Sequence, residues 1–379
     1  MPNTTVVHVA SGDLWAGAEV QLYYLATELH KNNQVRLRVV LLNHGILENR
    51  LKEAGINVTV FDETVLSSLQ IFFRMCSFLK EQSPNIVHTH RQKENVLGGL
   101  TTLFCSKAKS LRTVHGAPES KPKLRQINKQ LSRFLDWLAG RLLQDMIIAV
   151  SAELKEKLSH RYAAAKICVI ENGINLNELE TSSIESVDLP GPADAIKVAI
   201  VGRLVSVKRI DVFLKVAHAL FTQYPSRYAF YVFGDGPLFD NLKKLGEDLG
   251  IDGQLFLMQF KPNIPAYLSK MDLLLITSDH EGLPMNLLEA LCLRVPVIAH
   301  AVGGIPKVLQ DGQLGTLIFN QDVKEYAAAI MNYAQDPQAF HHKANAAHHA
   351  IADLYSSRVC AERHFLLYNA LTQGRFWPL

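Results

Sequence analysis

The sequence predicts an α/β protein of two doubly wound domains, each a parallel sheet with helices on both faces. Three observations lead there. Short Val/Ile-rich runs recur along the chain, each followed by a segment of helical period, and unbroken apolar runs of that length suit strands buried on both faces. The pattern pauses at a polar stretch, "NELETSSIESVDLPGPADA", and then restarts. The 379 residues, 48% of them hydrophobic, are enough for two cores.

In order, "TTVVHVA", "VRLRVVLL", "NIVHTH", "SLRTVHG", "DMIIAVS" and "KICVIENG" read as the strands of the first half. The polar stretch near 176–195, ending in Pro-Gly-Pro, reads as a linker. "IKVAIVGRL", "YAFYVFGDG", "QLFLMQF", "DLLLITS", "VPVIAHAVG" and "GTLIF" then supply the second sheet, and the chain is helical from about Asp322. The expected domains are 1–185 and 186–355, with a last helical segment over 356–379.

Composition narrows the function. A formal net charge of +3 gives no bulk attraction to nucleic acid, so any basic site is local. The five cysteines, Cys76, Cys105, Cys168, Cys292 and Cys360, form no Cys-x-x-Cys pair or zinc pattern and read as buried thiols of a reducing compartment. No signal peptide opens the chain and no run of about 18 apolar residues occurs, so a soluble, cytoplasmic protein is expected. Neither half has G-x-G-x-x-G after its first strand and there is no G-x-x-x-x-G-K-[ST], which argues against nicotinamide and P-loop chemistry.

The informative stretch is "HEGLPMNLLEA" (280–290), directly after the strand "DLLLITS". Pro284 suits the first position of a helix, and "PMNLLEALCLR" is apolar nearly all round. Met285, Leu288, Glu289 and Cys292 fall at i, i+3, i+4 and i+7, so Glu289 shares a face with three apolar residues. A carboxylate there is costly unless donors reach it, and vicinal sugar hydroxyls would satisfy both oxygens. Glu281 lies in the turn, and Gly282 leaves its backbone N–H open to close approach beside a helix N-terminus that favours anions. Two hydroxyl acceptors around a positive helix end suit a sugar joined through phosphate to a ribose. Alternatively, either acid alone fits a structural place, in a solvated turn or on a core arginine.

"EGLPMNLLEA" resembles the E-x7-E motif of retaining, nucleotide-sugar-dependent glycosyltransferases of family 4. The resemblance continues through "SGDLWAGAEV", "TVHG", "ENGINLNEL", "VGRLVSVKR", "GDGP" and "GGIP", in that family's order and over almost the whole chain. It implies the GT-B fold: two facing Rossmann-like domains, the first binding acceptor and the second the nucleotide sugar, with the C-terminal helix crossing back to pack on the first. Phe376 and Trp377 would then pack between domains.

The resemblance also implies roles. Arg203 and Lys208 neutralise the donor diphosphate, in place of a metal. Glu281 contacts the sugar hydroxyls, with departure and attack on one face, and Glu289 the ribose. Gly17 lets the first strand-to-helix loop close on the diphosphate, as do Gly282, Leu283 and Pro284. His115 faces the sugar and positions or polarises the reacting groups; without the resemblance, a lone strand-end histidine reads as structural. His88 and His90 fit strand-end packing and acceptor contact equally well. The base lies near Met258 to Lys261 through backbone contacts, so UDP and GDP donors are not distinguished. Asp235 in "GDGP" reads as structural. Three departures stand out: Ala16 where the family has a glycine, Arg209 where it often has glycine, and Lys307 where an acid is common.

Residues 121–142 carry six basic residues and one acid, with apolar residues at helical spacing from Leu124 to Leu142. They fit a helix docked on the first domain, or a surface that meets anionic lipid and a lipid-linked acceptor on the inner face of a membrane. The expected function is a retaining, metal-independent glycosyltransferase moving a hexose from a UDP- or GDP-sugar to a hydroxyl acceptor. The alternatives are a nucleotide-sugar-binding scaffold subunit and an epimerase.

Overall fold

The computed structural model describes residues 4–116 and 127–375. They divide into two compact units: 1–117, 121–173 and 357–379 make the first, and nearly all the rest the second.

The first unit begins β1 (Thr4–Ala10), α1 (Gly17–Lys31), β2 (Val35–Leu41), α2 (Ile46–Glu53), β3 (Val58–Val60), α3 (Ser68–Gln82), β4 (Ile86–Thr89) and α4 (Gln92–Cys105). It continues with β5 (Lys109–Val114), α5 (Ile127–Leu142), β6 (Met146–Ala149), α6 (Ala152–Ser159) and β7 (Ile167–Val169). All pairings are parallel and the order is β3-β2-β1-β4-β5-β6-β7. The predicted strands are all present. The addition, β3, is a three-residue edge strand with every residue half-buried, too short and too exposed to leave an apolar run.

The stretch read as linker starts with a helix, α7 (Leu176–Ser183). Asn175 caps it, accepting from the Glu178 backbone N–H at 3.3 Å, and Leu179 is buried. One apolar anchor among polar neighbours hides the helix from periodicity. The second unit goes on through β8 (Ile196–Val201), α8 (Ile210–Gln223), β9 (Tyr228–Phe233), α9 (Phe239–Asp248), β10 (Leu255–Gln259), α10 (Ile264–Leu268) and β11 (Leu273–Ile276). It closes with α11 (Met285–Cys292), β12 (Val297–His300), α12 (Ile305–Val308), β13 (Thr316–Ile318), α13 (Val323–Gln335) and α14 (Pro337–Leu354). Its parallel sheet runs β10-β9-β8-β11-β12-β13. α7 packs on α10 and α11, so the chain enters this unit at Ile174, before the Pro-Gly-Pro stretch.

The last helix, α15 (Ser357–Thr372), lies in the first unit against α1, where Cys360, Ala361, Leu367 and Tyr368 join the core with Leu22, Leu25 and Leu29. Phe376 and Trp377 are outside the described residues.

One composition-based expectation is corrected. Cys76 on α3 and Cys105 at the end of α4 are joined as a disulfide, while Cys168, Cys292 and Cys360 are buried free thiols. Spacing along the chain did not reveal that α3 and α4 lie side by side. Among the described residues, no helix is long and apolar enough to cross a membrane.

Each sheet reverses its winding once, beside β1 and β4 in the first unit and beside β8 and β11 in the second. Such switch points leave a crevice beyond the carboxyl ends of the strands, which is where side chains can meet a ligand.

Candidate active site

In the second unit the switch point brings together the residues after β8 and those after β11. Lys208 Nζ meets Glu281 Oε1 at 2.7 Å, with the glutamate side chain nearly buried. Thr277 Oγ1 donates to the carbonyls of Lys208 and Arg209, both at 3.0 Å, which ties the 206–209 turn to the end of β11. Beneath the acid, Gly303 has φ +64°, and a Cβ on it would stand 2.2 Å from the Glu281 carbonyl oxygen. The Gly304 N–H donates to the Gly282 carbonyl at 2.7 Å. "GGIP" therefore supports the turn that carries Glu281, a mechanical reason for glycine there.

Glu289 sits on α11 as the sequence suggested, buried, and its carboxylate has no hydrogen bond or ion pair among the described residues. Burial pushes its pKa up from 4.5 to about 7. Pro284 stands one place earlier than predicted, as the N-cap in extended conformation, with Met285 opening the helix. Asn286, which the sequence did not single out, donates to the Val201 carbonyl at 2.7 Å and so pins the start of α11 to the end of β8; its Oδ1 has no partner among the described residues. Arg203 lies in the same strand-end turn, partly exposed. Asp235 accepts from the Phe260 N–H at 3.1 Å, in keeping with its structural reading.

In the first unit Gly17 opens α1 just beyond β1. Glu19, one turn in, is buried and paired with Arg91, the residue that precedes α4. Burial raises Glu19 to about 7 despite the arginine. Glu94 is also buried, accepts from Ser11 Oγ and is raised by burial. Arg91 and Glu94 were missed because nothing in "RQKEN" looks unlike a solvated helix start.

His115, at the end of β5, is not alone. Register pairs His8 with His88 across β1 and β4, and His90 follows on the same face. His8 Nδ1 lies 2.8 Å from His90 Nε2, and His90 Nδ1 lies 3.2 Å from His115 Nε2. His364 of α15 stacks on His88 with ring centroids 5.7 Å apart. Burial lowers all five rings, His8 and His115 to about 3 and His364 to about 4, so they are neutral near pH 7. The sequence offered no Cys/His metal pattern, yet ligand atoms of His8, His88 and His90 stand within 4.8 Å of one another. β1 contributes a ligand that spacing along the chain does not connect with "HTH".

Comparison with known proteins fits this arrangement half by half. Residues 15–178 match the model for Glycosyltransferase Family 4, and 184–350 that for Glycosyl transferases group 1. The two matches together make the chain a glycosyltransferase similar to family 4. Anabaena HepE in complex with UDP-glucose superposes with a TM-score of 0.81 at 20% identity, over 97% of this chain and 100% of that one, which supports the GT-B fold. The Escherichia coli UDP-Gal:alpha-D-GlcNAc-diphosphoundecaprenol alpha-1,3-galactosyltransferase is 23% identical over 343 residues, 87% of this chain and 88% of its own. A D-inositol 3-phosphate glycosyltransferase of Mycobacterium leprae (strain Br4923) is 31% identical over 203 residues, 51% of this chain and 47% of that enzyme.

In this glycosyltransferase the departure at Arg209 has a physical explanation. The residue takes φ +49°, a left-handed conformation that favours glycine. Its guanidinium is held by Asp211 and Asp279, each at 3.0 Å, and by Gln321 at 3.1 Å. These three partners hold the guanidinium and offset the backbone strain. Lys307 is exposed on α12, and Ala16 is the extended residue before Gly17.

Proposed function

We propose that this enzyme is a retaining hexosyltransferase that draws on a nucleotide diphosphate sugar, works without metal, and delivers the sugar to a hydroxyl of a lipid-linked or polysaccharide acceptor. The observation that carries the reading is the pair of acids across the β11–α11 turn. Glu281 is held by Lys208, and Glu289 is buried with no partner among the described residues.

An ionised Glu289 can accept two hydroxyls at once, and a ribose diol supplies them. A sugar phosphate brings hydroxyl donors for Glu281 and oxygen acceptors for Lys208, so it satisfies both halves of the ion pair that it parts. Arg203 and Lys208 face charge that grows on the diphosphate as the glycosidic bond breaks, so they act more strongly in the transition state than before it. Gly17, Gly282, Leu283 and Pro284 shape the phosphate and sugar contacts with backbone. His115, neutral, offers one ring nitrogen as donor or acceptor to the reacting groups. UDP sugars come first, since one relative is named for UDP-Gal and another was solved with UDP-glucose; GDP sugars come next.

A peripheral membrane contact through α5 belongs to the same reading. Four of its large apolar residues do not dock: Leu131, Phe134, Leu135 and Leu142 are exposed, at 54%, 53%, 40% and 65%. The buried side carries Asp136, paired with Arg112 at 2.9 Å and with Asn95 at 2.7 Å. An amphipathic helix with its apolar face outward suits a lipid surface that also displays the acceptor. Residues 121–126, which hold three of the basic side chains, lie outside the described ones.

A thermal-shift panel of nucleotides and nucleotide sugars tests the donor reading. A UDP or GDP sugar should raise the melting temperature, and Glu289→Gln should shrink the shift. Slow hydrolysis of the stabilising donor should follow in the wild type. No stabilisation by any nucleotide, or an equal shift in the variant, would overturn it.

A further inference from the structure

Four histidines of the first unit, His8, His88, His90 and His115, form with Thr113 and Tyr368 one unbranched line of hydrogen bonds. Thr113 Oγ1 lies 2.8 Å from His88 Nε2, His88 Nδ1 2.7 Å from the Tyr368 hydroxyl, and that hydroxyl 3.4 Å from His8 Nε2. The line continues from His8 Nδ1 to His90 Nε2 at 2.8 Å and from His90 Nδ1 to His115 Nε2 at 3.2 Å. It ends on His115 Nδ1, which is shielded from solvent and has no hydrogen-bond partner among the described residues.

A neutral imidazole carries one proton on two nitrogens, so each link dictates the next. If His8 is protonated on Nδ1, it donates to a bare His90 Nε2. His90 must then donate from Nδ1 to a bare His115 Nε2, and His115 carries its proton on Nδ1. If His8 is protonated on Nε2, every assignment reverses and His115 Nδ1 is a bare acceptor. Tyr368 has a single hydroxyl proton, so it hands the same choice to His88, and the Thr113 hydroxyl fits either direction. Second protons that would break the rule are disfavoured, because all four rings are held neutral by burial.

We propose that this chain of linked tautomers sets whether His115 presents an N–H or a lone pair at the carboxyl end of β5, with Tyr368 and His8 as its positioning residues. Its catalytic meaning rests on the role given to His115 above; its existence does not.

Nitrogen-15 NMR of the full chain with labelled histidine rings tests it. His8, His88, His90 and His115 should all carry their protons on the same ring position, all Nδ1 or all Nε2. Tyr368→Phe removes the one hydroxyl joining the two halves of the line. It should shift the ring-nitrogen signals of His115, three hydrogen bonds away, and lower kcat more than it raises KM. Rings protonated at unlike positions, or a folded Tyr368→Phe protein with His115 signals unmoved, would overturn the proposal. Should that variant not fold, the wild-type ring assignments decide alone. One equivalent of divalent metal bound to His8, His88 and His90 would also overturn it, since ligation takes nitrogens that the line needs. The ring readout needs no substrate. It therefore fails separately from the role of His115 in transfer, which is lost if His115→Ala transfers sugar at the wild-type rate.

Discussion

Glu289 shows how a binding residue can weigh on the protein that holds it. Its pKa is raised from 4.5 to about 7, so between those values the folded protein keeps a proton that the unfolded chain has released. Stability then falls as pH rises through that window, by about 3 kcal/mol in all, and is flat above it. Glu289→Gln should remove this term. Urea denaturation at pH 5 and pH 8 should show the variant gaining on the wild type at the higher pH by a few kcal/mol while nucleotide affinity drops. Equal pH dependence in the two proteins would mean that the acid already has a partner. Lys208→Ala makes the complementary case. Losing one cation at a developing diphosphate should lower kcat by about 100-fold, measured as sugar transfer or donor hydrolysis. These two residues were legible in the sequence because a charge in an apolar helix, or a cation pair at a strand end, breaks a pattern. Asn286, Arg91 and Glu94 break none, and their importance arises only from the backbone groups and ions that folding brings beside them.

The strands were legible for the same reason that they are stable: parallel strands covered on both faces leave unbroken apolar runs. What the runs do not encode is strand order. His8 and His88 lie 80 residues apart in sequence and meet only because β1 pairs with β4. Across these two strands, β5 and α15, four buried imidazoles and the half-buried His115 accumulate, and their energetics belong to the elements together. Folded values near 3 to 4, against an ordinary 6.5, mean that the unfolded chain takes up protons that the folded rings refuse. Stability of this unit is therefore full above pH 6.5 and is lost as pH falls, His8, His115 and His364 each contributing a loss of about 3 kcal/mol by pH 4.5. Glu19, between 4.5 and 7, and Glu94, also raised by burial, work the other way, but they are two groups against five rings. Trp15 and Trp137 lie in the first unit and residues 174–356 contain no tryptophan, so fluorescence reads this unit directly. Its emission should change cooperatively between about pH 6 and 4. His364→Leu, which removes a ring whose Nε2 has no partner among the described residues, should move the midpoint lower. A midpoint unchanged or raised would show that the rings are not what acid attacks.

At the scale of the whole molecule, a net charge of +3 is too small to draw the protein to a membrane by itself, so attraction has to come from where charge and apolar surface coincide. α5 is that place. Helical period alone left open whether its leucines dock on the domain or face a lipid surface. The structure turns them outward because Asp136 is buried on the other side with Arg112 and Asn95, a polar anchor that periodicity scores as surface. Beside the exposed leucines, Phe134 and Trp137 stand with ring centroids 5.7 Å apart, and Arg141 lies 5.6 Å from the Trp137 ring. Aromatic rings with adjacent arginine suit the boundary between headgroups and acyl chains. Flotation with vesicles containing anionic lipid should retain the protein at low salt and release much of it at high salt, because the electrostatic part is screened. Replacing Leu131, Phe134 and Leu142 by serine should abolish retention and leave the nucleotide-induced rise in melting temperature unchanged, since these exposed side chains are not among the donor-binding residues. If the triple variant floats as well as the wild type, the outward face of α5 serves something other than lipid.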